Sequence, residues 1–331
     1  MGEIKEISIL TAVYNDWGSF YVLLPRLDRE LASLGITAKI IVIDDGSQEF
    51  TNQDQLKGMN LSAVETITIV TLMRNLGNQR ALAVGFGYIA SEMPKRPLIV
   101  MDSDLEDQPE YIAALLETLA KNDNKIVFAE RTQRSESIQF KIFYGIYKRI
   151  YKLLTGMPIA IGNFSAIPAR LVKRIAGISE IWSHFPAGIM RARVSYITVP
   201  SVRGTRLYGQ SAMNIISLIV HGLSGLAVHA DVVGVRIILA ILGSVIAIFI
   251  AIVAVVIKRL FFDYFVIGWT SQVIIILGIA LLQVFILAIF MAFLVLNGKT
   301  QRLLIPSVDY KMFILDIEQI TPNPIQDDVS H

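Results

Sequence analysis

Two stretches of this chain run without a charged side chain for longer than a buried soluble helix would, and they constrain the fold more than any other feature. Ile237–Ile257 covers 21 positions and Tyr264–Gly298 covers 35 with no Asp, Glu, Lys or Arg. As a helix rising about 1.5 Å per residue, the first reaches roughly 31 Å, the depth of a bilayer's hydrocarbon core. The second exceeds one crossing, and Tyr264 and Trp269 stand where an aromatic belt would hold its entrance at the interface. Lys258, Arg259 and Asp263 lie in the short link, so the pair reads as a transmembrane hairpin with both outer ends on one side. Arg236, Lys299, Arg302 and Lys311 flank those outer ends, against Lys258 and Arg259 in the link, which favours both termini in the cytoplasm. Composition agrees: 53% of the 331 residues are apolar and 18% charged, where soluble chains carry about 45–50% and about 25%.

Other classes fall away on simple grounds. A net charge of +2, from 30 basic and 28 acidic residues, is no footprint for nucleic acid. Zero cysteines exclude a disulfide framework, thiolate metal sites and a cysteine nucleophile. The opening MGEIKEISILTAV lacks a basic segment followed by a long apolar core, so no cleaved signal peptide is expected.

Ahead of the hairpin, short β-rich runs alternate with helix-length segments. Ile7–Val13, Ala38–Ile43, Thr66–Leu72, Pro97–Met101, Lys125–Ala129 and Val194–Val199 read as strands; Ser19–Leu34, Asn78–Glu92 and Pro109–Asn122 read as helices. Such alternation predicts an α/β head with a mostly parallel, Rossmann-like sheet covered on both faces and ligands at the strands' carboxyl ends. The expected organisation is a cytoplasmic head over 1–210, an amphipathic juxtamembrane helix over 211–232, and membrane helices over 233–298 (about 233–257 and 267–297). A tail over 299–331 follows, with a strand at Tyr310–Ile317. Met213–Val228, with Asn214, Ser217, His221 and Ser224 at helical spacing, suits a membrane surface or equally a face of the head. Gly234, Gly243, Ser244 and Gly278 offer small residues through which the hairpin could self-associate into a homo-oligomer.

The chemistry concentrates at strand ends. Val100-Met101-Asp102-Ser103-Asp104-Leu105-Glu106-Asp107 delivers carboxylates to the end of a buried strand. Crowded carboxylates repel unless a cation neutralises them, and hard oxygen ligands suit Mg²⁺ or Mn²⁺ held jointly with substrate phosphates. A solvated acidic turn would carry the same letters. Asp44-Asp45-Gly46-Ser47 closes the second strand, where a carboxylate can accept from a base N–H or a ribose hydroxyl, or form a plain Asx turn. Thr11-Ala12-Val13-Tyr14-Asn15-Asp16 closes the first. Neither a Gly-x-Gly-x-x-Gly turn after the first strand nor a Gly-Lys-Ser/Thr loop is present, so the phosphate cradles of dehydrogenases and P-loop ATPases are missing.

In this order, Thr11-Ala-Val-Tyr-Asn, Asp44-Asp-Gly-Ser, Arg74-Asn-Leu-Gly, Asp102-Ser-Asp-Leu-Glu-Asp-Gln-Pro-Glu and Arg203…Arg206…Gly209-Gln-Ser resemble the motifs of family 2 glycosyltransferases. The resemblance is to the dolichol-phosphate mannose synthase-like branch with its bacterial polyprenyl-phosphate glycosyltransferases, and it covers about residues 5 to 230. It implies a GT-A-type head, a UDP- or GDP-sugar donor, Mg²⁺ or Mn²⁺, a polyprenyl (undecaprenyl or dolichyl) phosphate acceptor, and the inner (cytoplasmic) membrane. Carried over by position, Thr11, Tyr14, Asn15, Asp45, Arg74 and Asp102 would bind the nucleotide sugar. Asp102, Asp104 and Glu106 would surround the metal, and Arg131, Arg203 and Arg206 would act with Asp104 on the phosphates. Asn163, His184 and Ser211 would line a sugar or acceptor pocket, His184 being a base for a hydroxyl acceptor or a packed residue.

The chain departs from the family pattern at Glu106, where glutamine is usual, at Ala212 in place of a lysine, and at Asp16 in place of glutamate. The expected reaction is inverting, metal-dependent sugar transfer onto the lipid phosphate. Two other readings stand beside it: transfer to a lipid-linked or glycan hydroxyl, and a nucleotide-sugar-binding assembly subunit without turnover.

Overall fold

The computed structural model describes residues 4–48, 51–93, 95–133, 138–157, 161–204, 222–261, 268–300 and 303–322. It divides into two compact units. The first comprises Met1–Tyr144, Ile159–Val228 and Leu303–His331; the second comprises Gly145–Pro158 and His229–Arg302.

The first unit is built on a mixed eight-stranded sheet. Its strands are β1 (Glu6–Val13), β2 (Thr37–Asp44), β3 (Val64–Leu72), β4 (Leu98–Val100), β5 (Ile126–Gln133), β6 (Ser165–Ile167), β7 (Tyr196–Val202) and β8 (Ile314–Ile320), in the order β7-β5-β6-β4-β1-β2-β3-β8. β3, β2, β1 and β4 run parallel and β7 is parallel to β5, while β6 and β8 are antiparallel to their neighbours. The central strands are apolar on both sides because both sides are covered. Ile9, Ile40, Val42 and Ile99 face a cluster with Phe20, Leu24, Leu27 and Leu31 of α1 (Trp17–Ser33) and Leu115 of α4 (Ile112–Lys121). Their neighbours Leu10, Ile41, Ile43 and Val100 face Leu82, Phe86 and Ile89 of α3 (Asn78–Glu92), with Ile175 and Phe185 beyond. The short helix α2 (Gln53–Lys57) lies on the β2–β3 connection.

Helices α1 and α3 therefore cover opposite faces, and β1 is flanked by β2 on one side and β4 on the other. That is a topological switch point, where an open α/β sheet forms a crevice outside its strands' carboxyl ends. Close packing keeps α3 there: a Cβ on Gly85 would stand 2.3 Å from Cδ1 of Leu10. Asp28 of α1, 6% exposed, ties the same layer together by accepting the backbone N–H groups of Ser62, Ala63 and Val64.

The helix expected at Asn78–Glu92 has those bounds, and the strands differ from expectation mainly at their ends. Pro109 opens a 3₁₀ turn, Pro109–Tyr111, that leads into α4. The tail strand is Ile314–Ile320, and it joins the head as an edge strand beside β3. Pro306 of the tail seats on α3 at Gly87, where a Cβ would meet the Pro306 carbonyl oxygen at 2.3 Å. Sequence reading did not list β6, α5 (Ile138–Thr155), α6 (Ala169–Ala176) or α7 (Phe185–Arg191). The helix expected at Met213–Val228 falls largely in 205–221, outside the described residues; 222–227 are helical.

In the second unit, helices Ala230–Phe261 and Trp269–Thr300 are long and apolar enough to cross a membrane, with mean hydropathy 3.1 over the best window of each. Only 6% and 0% of those windows is buried. Contiguous exposed apolar surface of this kind is unfavourable in water and ordinary in lipid. The helices pack antiparallel, with Gly234 near the start of one against Val295 near the end of the other; a Cβ on Gly234 would meet Val295 Cγ2 at 2.2 Å. Gly243 and Gly278 have nothing within 4 Å of such a Cβ.

Candidate active site

Three loops meet at the carboxyl ends of β1, β2 and β4, and backbone hydrogen bonds hold them in register. Asn15 takes a left-handed conformation (φ 49°), its N–H donates to Ser47 Oγ at 2.9 Å, and its Oδ1 accepts from Gln48 N at 2.8 Å. Asp44 Oδ1 accepts Ser47 N at 3.0 Å, closing the Asx turn. Asp45 is 2% exposed, and its two oxygens accept the N–H groups of Leu76 (2.7 Å) and Gly77 (2.8 Å) just ahead of α3. Burial pushes its carboxyl above the usual carboxylate range, against the pull of those two bonds. Gly46 (φ 70°) permits the approach, because a Cβ would lie 2.7 Å from the carbonyl carbon of Arg74.

The acidic loop after β4 is organised by the residue that follows the expected trio. Asp107 is 3% exposed. Its Oδ2 accepts Asp102 N at 3.0 Å, and its Oδ1 accepts from Arg131 Nη2 at 3.2 Å. Burial first, and then the Asp102 charge, push the Asp107 carboxyl up to about 7, with Arg131 opposing both. Leu105 holds a left-handed backbone (φ 67°), a strained state for a branched residue that closes the loop tightly. Ser103 Oγ donates to the Ala12 carbonyl at 2.9 Å and ties this loop to β1.

The segment after β7 clasps the loop from outside. Arg203 meets both carboxylate oxygens of Glu106, Nε at 2.8 Å and Nη2 at 2.6 Å. Gly204 N donates to the Glu106 carbonyl at 2.9 Å, and a Cβ on Gly204 would collide with the Leu105 carbonyl oxygen at 2.4 Å. Glu106 thus lies between two guanidinium groups, Arg131 Nη2 being 3.9 Å from Oε2. Among the described residues no group of three His, Cys, Asp or Glu side chains is arranged to hold a metal ion. The donor set that fits one is smaller. Asp102 and Asp104 are two half-buried carboxylates, and a hard divalent cation needs only one or two beside substrate phosphates.

A ladder of amides backs Asp102. Asn78 Nδ2 and Asn163 Nδ2 each lie 3.4 Å from Asp102 Oδ1, long for hydrogen bonds. Gln79 Nε2 donates to Asn163 Oδ1 at 3.1 Å, while Gln79 Oε1 accepts Phe185 N at 2.6 Å. His184 is the N-cap of α7, its Nδ1 accepting Ala187 N at 3.3 Å.

The expected residues therefore separate into groups. Asn15, Asp45, Asp102, Asp104, Glu106, Arg131, Asn163 and Arg203 lie on the three loops or on side chains bonded to them. Tyr14 is 45% exposed on the β1 loop, and Arg74 is exposed on the loop before α3. Thr11 is 1% exposed within β1, its hydroxyl without a hydrogen-bond partner, so the strand holds it away from open solvent. Arg206 and Ser211, with the rest of the Gly209–Ala212 motif, lie outside the described residues. Sequence reading missed Asp107, Asn78, Gln79 and Gly204. Of these only Asp107 left a signal, as the fourth carboxylate of its run.

Comparison with known proteins finds relatives among glycosyltransferases. The undecaprenyl-phosphate 4-deoxy-4-formamido-L-arabinose transferase of Klebsiella pneumoniae (strain 342) is 26% identical over 220 residues, 65% of each chain. An uncharacterized glycosyltransferase of Synechocystis sp. is 29% identical over 179 residues, 53% of this chain and 54% of that one. The chain thus spans about 65% of the length of the first of these curated relatives. Among solved structures, glucosyl-3-phosphoglycerate synthase from Mycobacterium tuberculosis in complex with UDP is similar at 14% identity and a TM-score of 0.46, over 70% of this chain and 80% of that one. The family model described as Glycosyl transferase family 2 matches residues 8–175, just over half of the chain and the whole of the β1, β2 and β4 loops. The chain belongs to glycosyl transferase family 2.

Proposed function

We propose that the protein transfers a sugar from a UDP- or GDP-sugar to a polyprenyl phosphate at the cytoplasmic leaflet of the inner membrane, with inversion at the anomeric carbon. The observation that carries this reading is the pairing of the acidic loop with Arg131 and Arg203 on a chain that also has two membrane-length helices. A site for two phosphate-bearing substrates needs cations on phosphate and little proton chemistry, because a lipid phosphate is already anionic near neutral pH. An oxygen of that phosphate attacks the anomeric carbon as the bond to the donor's diphosphate breaks, and the nucleoside diphosphate leaves with the bonding pair.

Arg131 and Arg203 suit the stabilisation of that diphosphate, since a planar guanidinium binds two phosphate oxygens at once. Asp102 and Asp104 would hold Mg²⁺ or Mn²⁺, which supplies charge neutralisation on the leaving diphosphate. Tyr14, Asn15 and Arg74, on the loops after β1 and β3, would border the nucleoside; Asp45 acts behind them by fixing the start of α3. His184 suits a structural role better than that of a base. With Nδ1 accepting Ala187 N–H, the neutral ring carries its proton on Nε2, which is then a donor.

The test is radiolabel transfer from a panel of UDP- and GDP-sugars to undecaprenyl phosphate in reconstituted vesicles with Mg²⁺ or Mn²⁺. Label in an organic-extractable product supports the reading and names the donor. Label appearing only on a glycan acceptor contradicts it in favour of a hydroxyl nucleophile. Donor binding without turnover on any acceptor favours an assembly subunit.

A further inference from the structure

The C-terminal half of α5 belongs to the same compact unit as the two long helices, and it carries a face that nothing in that unit covers. Ile146 (51% exposed), Ile150 (46%) and Leu153 (74%) are spaced i, i+4, i+7. At 3.6 residues per turn they fall within an arc of about 60°. The opposite side is occupied: Tyr151 and Thr155 are buried, and the Tyr151 ring meets His229 edge-on at 6.2 Å between centroids. Arg149 and Lys152 are exposed on one flank of the apolar face, with Lys148 beyond them.

The depth of this helix is set by one contact. Arg236 Nη1 donates to the Leu153 carbonyl at 2.5 Å, and Gly156 (φ 81°) ends the helix where a Cβ would crowd the Arg236 guanidinium at 2.9 Å. Arg236 is the residue immediately before the charge-free span that starts at Ile237. Leu153 is therefore level with the start of that charge-free span, where an exposed leucine would gain by burial in lipid.

We propose that residues 145–155 form an interfacial helix that seats Ile146, Ile150 and Leu153 in the headgroup–acyl boundary of an anionic leaflet, with Arg149 and Lys152 on the lipid phosphates. This rests on the reading of the long helices as a membrane hairpin. The occupant is a lipid surface because the apolar face continues the level at which the hairpin leaves the hydrocarbon, and because its charged flank is cationic.

The chain has no cysteine, so single-cysteine variants of the full-length protein each carry one spin label without background. Ile150→Cys and Leu153→Cys are compared with Ile250→Cys on the first long helix and Glu117→Cys on α4, in vesicles of phosphatidylcholine with phosphatidylglycerol. Collisional access is read for oxygen and for a water-soluble nickel chelate. Labels at 150 and 153 are expected to favour oxygen, as at 250, while 117 favours nickel. Adding Arg149→Gln and Lys152→Gln shifts 150 and 153 toward nickel, and vesicles of phosphatidylcholine alone give the same shift without those changes. Nickel access at 150 and 153 matching 117, with 250 still in oxygen's favour, overturns the proposal and leaves the hairpin standing. Occlusion from both probes that deepens with protein density also overturns it, in favour of a second copy on this face. Nickel access at 250 as well removes the hairpin reading itself.

Discussion

Arg131 holds a guanidinium nitrogen 3.2 Å from Oδ1 of Asp107, while the other oxygen of that buried carboxylate accepts the backbone N–H of Asp102 at 3.0 Å. One side chain thus sets both the strand end that presents Asp102 and the cation that faces it. The site depends on a residue that need not touch substrate.

Asp107→Asn keeps the volume and removes the charge. Arg131 then keeps the more distant Glu106 as an ion-pair partner, at 3.9 Å. The side-chain amide has one acceptor oxygen in place of two, so either Arg131 or the Asp102 N–H loses its partner, which costs about 1–3 kcal/mol. Thermal unfolding in detergent is expected to show a loss of that order. Transfer is expected to fall about 10²-fold, because misplacement near 1 Å has that effect in an oriented site.

Asp45 predicts a pH dependence. Its carboxyl is raised in the folded chain, so the native state holds the proton more tightly than the unfolded one. Stability contributed by that proton is present below the ordinary carboxylate range and falls as pH rises through the raised value. Unfolding measured across mildly acidic pH should show this slope in the wild type and lose it in Asp45→Asn. The variant should also be less stable at neutral pH by about 1–2 kcal/mol, since one of the Leu76 and Gly77 N–H groups loses its acceptor.

The architecture was legible where local pattern and tertiary outcome coincide. Asn78–Glu92 and the central strands carry continuous apolar runs ended by polar or glycine residues, and the hairpin announces itself by the absence of charge. The short strand β6 has three residues and depends on pairing to β4 and β5, so no local periodicity marks it. The family resemblance carries Glu106 over as a third metal ligand. In the fold, Arg203, 97 residues away, engages that carboxylate, and a partner so distant leaves no trace in the motif. Gln79 is hidden for the same reason: its partners, Asn163 and Phe185, are 84 and 106 residues away.

Replacing His184 separates capping from catalysis. His184→Ala removes the side-chain acceptor at the start of α7 and should cost about 1 kcal/mol in unfolding. Its rate should stay within about tenfold of wild type. A loss of about 10²-fold or more, at unchanged stability, would mark it as the base for a hydroxyl acceptor.

Arg203→Lys keeps the charge and loses the fork that meets both oxygens of Glu106. Lysine binds phosphate as a point charge, so kcat/KM for the donor is expected to fall about 10- to 100-fold. Initial rates at varied donor concentration measure it, and near-wild-type kinetics would show that the charge alone suffices.

The loop after β4 is proposed to serve transfer between phosphates at a membrane, and Asp104→Asn is the variant that decides this. Wild type and variant are reconstituted side by side with the active UDP- or GDP-sugar, undecaprenyl phosphate and a titration of Mg²⁺ or Mn²⁺. Wild type is expected to form a lipid-linked sugar in a metal-dependent way, and the folded variant to lose about 10²-fold or more. Equal transfer by both proteins, or transfer indifferent to metal, would contradict it.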